Sequence, residues 1–290
     1  MKKLLLFFGI LCIGLLPTGC VNNKTAKGKI YTTIYPITFI TNYLYASENV
    51  NSIYPLDADI ENYRLTDKQI NEYANSEMFI YNGLTNEKEI AKDFINSNKN
   101  LVIIDASSGI NYQHALEEIW LSPNNFLMLA KNIKEYLIDN LENQETIRNI
   151  ESNYKKLEDE ISIMDAELRS IAKEAMENNK PQTLIISSNK FKYLEKYGFE
   201  IISLDKTENI SENNLNNLKN NFKNEKYKYI LAPKGAENSE LVNSLINEYK
   251  AEVISVNIMY TLSKDDETKN ENYLTLMNTY IDNIRSIILK

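Results

Sequence analysis

From Ile147 onward the apolar side chains fall at Ile147, Ile150, Tyr154, Leu157, Ile161, Met164, Leu168, Ile171 and Ala175. The steps alternate between three and four without a slip. That pattern draws one stripe along a continuous helix of about 35 residues, roughly 50 Å long at 1.5 Å per residue. Pro181 ends it, because proline can neither donate to nor fit inside a helical turn. A rod of this length must cover its stripe, either on a second copy in a coiled coil or on its own flanking domains. Tyr154 and Met164 within the stripe, and the character of both flanks, favour packing inside one chain.

Those flanks read as two runs of βα units. Before the rod, Lys29–Ile34, Val50–Tyr54, Glu77–Tyr81 and Leu101–Ile104 are β-branched or aromatic and read as strands. Thr38–Tyr45, Thr66–Ala74 and Glu87–Phe94 read as the helices between them. After it, Thr183–Ser187, Glu200–Leu204, Tyr229–Ala232 and Glu252–Val256 read as strands. Phe191–Tyr197, Asn214–Phe222 and Ser239–Tyr249 read as their helices. Strands alternating with helices predict parallel sheets. The expected fold class is α/β, two lobes of parallel βα units joined by a single long rigid helix. The expected boundaries are 29–143 for the first lobe, 144–180 for the helix and 181–290 for the second lobe.

Composition removes several kinds of chemistry. The net charge is −8 with no long basic run, so nucleic acid is not an expected partner. Both cysteines, Cys12 and Cys20, lie in the first twenty residues, so the rest of the chain offers no disulfide, thiolate zinc site or cysteine nucleophile. The single histidine, His114, precludes a histidine-cluster metal site. The glycine-rich phosphate loops and the G-x-S-x-G elbow are absent. Asp57-Ala-Asp-Ile-Glu61 opens like a calcium loop, but Asn62 and Lys68 stand where glycine and glutamate are needed. Asp265-Asp266-Glu267 reads as a solvated loop, and Asn209–Lys226 as an exposed amphipathic helix and turn.

The N-terminus reads as an export signal. Lys2 and Lys3 precede an apolar run from Leu4 to Leu16, too short to be a comfortable permanent span. Thr18-Gly19-Cys20 then resembles a bacterial lipobox, although Pro17 occupies the place usually held by leucine. Residues 1–19 are therefore expected to be a lipoprotein signal peptide, Cys20 the acylated (diacylglyceryl, palmitate-type) residue and 20–28 a tether. Several acyl chains on one residue would hold the protein at the membrane, where one chain binds only marginally.

Four segments, in order, carry a family resemblance: Thr32-Thr-Ile-Tyr-Pro36, Ala74–Leu84 (ANSEMFIYNGL), Ile119-Trp-Leu-Ser-Pro123 and Phe191-Lys-Tyr-Leu-Glu-Lys-Tyr-Gly198. Together with the long helix they resemble the metal-binding lipoproteins of zinc and manganese ABC importers (the cluster A-I substrate-binding proteins) over essentially the whole mature chain. The resemblance implies two lobes on one rigid helix with a metal between them. It also implies an ABC permease and ATPase as partners, an extracytoplasmic, lipid-anchored location on a bacterial membrane, a monomer and no enzymatic activity. It places the four metal-ligand positions at Glu61, Glu118, Ser188 and Asn257, where the family carries histidine at the first two, histidine or glutamate at the third and aspartate at the fourth. The mobile His/Asp/Glu-rich loop of many zinc receptors is missing.

Three readings of this altered site remain. Two carboxylates, a hydroxyl and an amide form an all-oxygen set, which suits Mn²⁺ or another hard divalent cation better than Zn²⁺. Alternatively the cleft takes a non-metal, organic and cationic solute beside Tyr31, Tyr35, Tyr63 and Tyr81. In the third reading the ion site is lost, and the chain is a non-transport surface lipoprotein, an adhesin or a scaffold. Acid–base catalysis by Glu61 and Glu118 is a weaker fourth reading.

Overall fold

The computed structural model describes residues 28–46 and 49–289. The signal peptide, Cys20 and nearly all of the tether lie outside the described residues. The first lobe runs β1 (Ile30–Thr32), α1 (Tyr35–Tyr45), β2 (Val50–Ser52), α2 (Asp67–Ala74), β3 (Met78–Tyr81), α3 (Glu87–Ser97) and β4 (Val102–Asp105). A short helix α4 (Glu118–Leu121) leads into α5 (Pro123–Asn140) and the long α6 (Gln144–Glu177). The second lobe runs β5 (Thr183–Ile186), a 3₁₀ helix (Asn189–Tyr197), β6 (Glu200–Ser203), α7 (Glu212–Lys223), β7 (Tyr229–Pro233), α8 (Glu240–Tyr249) and β8 (Glu252–Val256). Two further helices, α9 (Lys264–Thr268) and α10 (Tyr273–Leu289), follow.

Each lobe holds a four-stranded parallel sheet, ordered β2-β1-β3-β4 and β6-β5-β7-β8. Tyr31 of β1 sits opposite Asn51 on one side and Phe79 on the other. The inner strands are short and buried on both faces, as parallel sheets covered by helices require. Most helices start where the sequence supplies a cap. The Thr66 hydroxyl and the Gln69 side chain form a reciprocal capping box on α2. The Asn143 carbonyl oxygen accepts from Glu145 N–H and Thr146 N–H at 2.9 and 3.0 Å to open α6.

The α6 stripe is used within the chain. Ile150, Leu157, Ile161, Met164, Leu168, Ile171 and Ala175 are buried, and α6 packs on α1, α5 and α10. One apolar core therefore runs from the inner face of the first sheet along α6 to the inner face of the second. Smaller clusters fill the opposite faces of the two sheets. Leu157 is fully buried, whereas Ile163 on the outer face is 59% exposed. Leu157→Ala is expected to cost about 2–5 kcal/mol in a denaturant titration, and Ile163→Ala no more than about 0.5 kcal/mol.

Three local readings change. The first helix begins at Tyr35 instead of Thr38, because Pro36 is favourable in a first turn. The segment Phe191–Tyr197 is wound as a 3₁₀ helix from Asn189. The acidic cluster 265–267 is not a solvated loop: it forms most of α9, with Asp266 buried and reciprocally capping Ser263. The α7 expectation holds: Leu218 and Phe222 are buried and Leu215 half-buried on a helix that is polar elsewhere. Among the described residues no helix is long and apolar enough to cross a membrane.

Candidate functional site

The lobes meet around α4 and the segment after β8. Trp120 is fully buried; its indole N–H donates to the Ile258 carbonyl at 2.8 Å and its ring lies edge-on to Tyr260. Two tyrosines of the second lobe donate to the final carbonyls of α4. Tyr273 reaches Trp120 O at 2.5 Å, and Tyr193 reaches Leu121 O at 2.8 Å. These carbonyls have no partner inside so short a helix, so the tyrosines satisfy them. Backbone bonds from Tyr35 N–H to Tyr260 O and from Asp57 N–H to Leu262 O complete the seam.

Glu117 and Glu118 sit side by side at the start of α4, both buried. The Glu117 carboxylate accepts from the Tyr260 hydroxyl at 2.5 Å and pairs with the Lys190 ammonium from the second lobe. Glu118 pairs with the Lys196 ammonium and accepts from Gln113 N–H at 3.0 Å. Burial works to raise the Glu118 pKa, but Lys196 and the backbone donors outweigh it and hold the carboxyl below its ordinary value. Burial pulls Lys190 below its ordinary value, against the field of Glu61 and Asp205. Tyr260 is pushed up to about 12 by burial, with Glu61 and Glu87 adding to it, so its hydroxyl stays a donor.

The four positions implied by the resemblance are placed as follows. Glu61 is exposed on the turn after β2, where Arg64 Nη1 donates to the Glu61 and Tyr63 carbonyls. Glu118 is turned to Lys196. The Ser188 hydroxyl accepts from Lys190 N–H and caps the 3₁₀ helix. The Asn257 amide donates to Asp266 at 2.8 Å and accepts from Met259 N–H at 2.9 Å. Among the described residues no three His, Cys, Asp or Glu side chains are gathered to hold a metal ion. Glu117 pairs with Lys190, and Glu61 contributes its field there. Sequence reasoning missed Glu117, Lys190 and Lys196. Their signal was the doubled acid before Trp120 and two lysines flanking the Phe191–Tyr197 segment.

A cavity of about 640 Å³ opens in the first lobe, at the carboxyl ends of its strands. Ile34, Tyr54 and Asn82 reach it from the segments that follow β1, β2 and β3, and Trp120 and Tyr260 wall the side toward the crevice. Of the four tyrosines singled out earlier, Tyr63 lines it, edge-on to Tyr54. Tyr31 packs on Tyr73, Tyr81 stacks on Phe79, and Tyr35 lies beside Phe39. Glu87, in the first turn of α3, lines the cavity while 4% exposed, and accepts from Asn82 N–H at 2.9 Å. Burial raises its carboxyl to about 7. The His114 backbone N–H donates to Glu118 at 3.4 Å, while its imidazole lies 3.9 Å from Glu195.

The sequence model of the family described as "Zinc-uptake complex component A periplasmic" matches residues 30–287. The high-affinity zinc uptake system protein ZnuA of Bacillus subtilis is 25% identical, over 93% of this chain and 91% of its own length. The zinc-binding lipoprotein AdcA of Streptococcus pneumoniae is 24% identical over 96% of this chain, which spans 59% of that longer protein. The crystal structure of the metal-dependent lipoprotein YcdH from Bacillus subtilis superposes with a TM-score of 0.73 at 22% identity. That likeness covers 90% of this chain and 99% of the other.

Proposed function

Since the chain belongs to the periplasmic zinc-uptake complex component A family, we propose that it captures a cationic solute outside the cytoplasm and presents it to an ABC permease driven by an ATPase. Cys20 carries the acyl anchor that keeps it at the membrane, and the chain performs no covalent chemistry. The observation supporting a cationic cargo is the crevice itself. The buried Glu117 and Glu118 pair with the ammonium groups of Lys190 and Lys196 from the opposite lobe, and the exposed Glu61 adds its field at Lys190. Carboxylates taken out of water need a counter-charge, and a divalent ion is the stronger one.

In this reading a hard divalent cation, Mn²⁺ before Zn²⁺, displaces Lys190 and binds between Glu61 and the α4 glutamates. Glu118 is freed once Lys196 releases it, Asn257 once Asp266 does, and Ser188 adds its hydroxyl oxygen from the start of the 3₁₀ helix. The oxygen-only donors favour such an ion, and the lysines it displaces keep its affinity modest.

Lys190→Ala removes the internal competitor. It is expected to tighten Mn²⁺ binding by about tenfold, read by equilibrium dialysis with elemental analysis and by a rise in melting temperature with added ion. Glu61→Ala with Glu118→Ala is expected to abolish the uptake. A chain that takes up no Mn²⁺, Ca²⁺ or Zn²⁺, either as wild type or as Lys190→Ala, ends the ion reading. A second reading rests on the same lysines: the lobes are clasped by their own ammonium groups, and the cargo is organic.

A further inference from the structure

We propose that the first-lobe cavity is a binding site for a small organic ammonium compound, seated with its charge on Glu87 and its carbon skeleton against Tyr54, Tyr63 and Trp120. The position fits. In open α/β sheets, ligands settle outside the carboxyl ends of the strands where the strand order reverses. Here β1 lies between β2 and β3, and the segments following all three line the cavity. The volume of about 640 Å³ falls within the range of small-molecule sites.

The charge fits a cation. Five carboxyl side chains line the cavity, Asp59, Glu61, Glu87, Glu89 and Asp93, against one guanidinium, Arg64. Arg64 Nη1 already serves two backbone carbonyls. Glu87 is the buried member, with the Tyr54 and Thr33 side chains and the Asn82 N–H against its carboxyl. No described basic side chain is paired with it. A buried carboxyl raised this far is only partly ionised near neutral pH, and an ammonium supplies the missing counter-charge. Aromatic faces around an organic cation add attraction that a hydrated metal ion would not use.

A second observation lies on the same wall. Asn82 is buried, its Oδ1 accepts from Leu84 N–H, and its Nδ2 donor has no partner. Buried donors without partners are rare and call for an explanation. A hydroxyl or carbonyl oxygen close to the ammonium of the solute would supply the acceptor, which points to an amino alcohol or a similar compound.

The proposal rests on the capture reading only for its biological use, and it is tested on purified full-length protein without reference to metal. Calorimetric titration with n-butylamine, ethanolamine and 4-amino-1-butanol, with neutral 1-butanol as control, reads the site directly. The amines are expected to bind at least about tenfold more tightly than 1-butanol. Glu87→Gln, which keeps the side-chain shape, is expected to weaken amine binding by about tenfold or more. Lys131→Ala, exposed on α5 and away from the cavity, is expected to leave it unchanged. Circular dichroism of Glu87→Gln establishes that the variant is folded. Amines that bind no better than 1-butanol, or that bind Glu87→Gln as tightly as wild type, overturn the proposal. Loss of amine binding in Lys131→Ala would show that the amines do not read the cavity and overturn it as well. Failure of the Mn²⁺ experiment leaves this result unaffected, so the two readings fail separately.

Discussion

Glu87→Gln will abolish a fall in stability that the wild-type chain shows as the pH rises from about 4.5 to about 7. The Glu87 carboxyl is raised from 4.5 to about 7, chiefly by burial. Between those values the folded protein holds a proton that the unfolded chain has released. Stability falls with pH wherever the native state binds more protons. The contribution is therefore fully present below about pH 4.5 and gone above about pH 7. Its full span is roughly 3 kcal/mol, at about 1.4 kcal/mol per pH unit. Most paired carboxylates act in the opposite sense. Glu118 is held below its ordinary value by Lys196 and backbone donors and is part of that contrary trend. The measurement is thus the difference between wild type and Glu87→Gln in urea titrations at pH 4, 5.5, 7 and 8. It should change by roughly 3 kcal/mol across the series. A difference that does not vary with pH would show that Glu87 ionises normally.

Trp120→Ala is expected to destabilise the protein by about 3–5 kcal/mol, and Trp120→Phe by less. The side chain is fully buried, so truncation leaves a large hole. It also strips the Ile258 carbonyl of its donor and removes the edge-on support of Tyr260. Tyr260 in turn donates to Glu117, so loss of the indole is expected to loosen the Lys190 pairing as well. Chemical denaturation reads the first effect. Cleavage by a protease at the 257–262 segment, faster in the variant under native conditions, reads the second. Trp120 is the protein's single tryptophan, so in wild type its fluorescence reports on the seam between the lobes without added label.

The scaffold was readable in the sequence because it follows from periodicity. The α6 stripe needs only side-chain spacing, and the βα alternation needs only strand-forming runs and turn residues. Helix α10 was not assigned, although Tyr273, Met277, Tyr280, Ile281 and Ile284 keep helical spacing and are buried. The segment adjoined an acidic cluster that had been given to solvent. The site was less legible for a different reason. Position by position, the resemblance implied Glu61, Glu118, Ser188 and Asn257, but no sequence position reveals which neighbour a side chain turns toward. Glu117 and Glu118 are adjacent in the chain and face different lysines, Lys190 and Lys196. The cavity was hidden more deeply: Ile34, Tyr54, Asn82 and Glu87 come from separate βα connections and meet only when three strands lie side by side.

The clasp between Lys190 and Glu117 has a consequence for how such a receptor behaves in dilute surroundings. A rival cation fixed to the same molecule is present at a constant and high effective concentration, whatever the medium contains. In the proposed reading an incoming ion must displace it, which lowers the ion's apparent affinity by a constant factor and leaves the shape of the saturation curve unchanged. The strength of that one internal pairing would then decide the range of external supply over which the crevice fills.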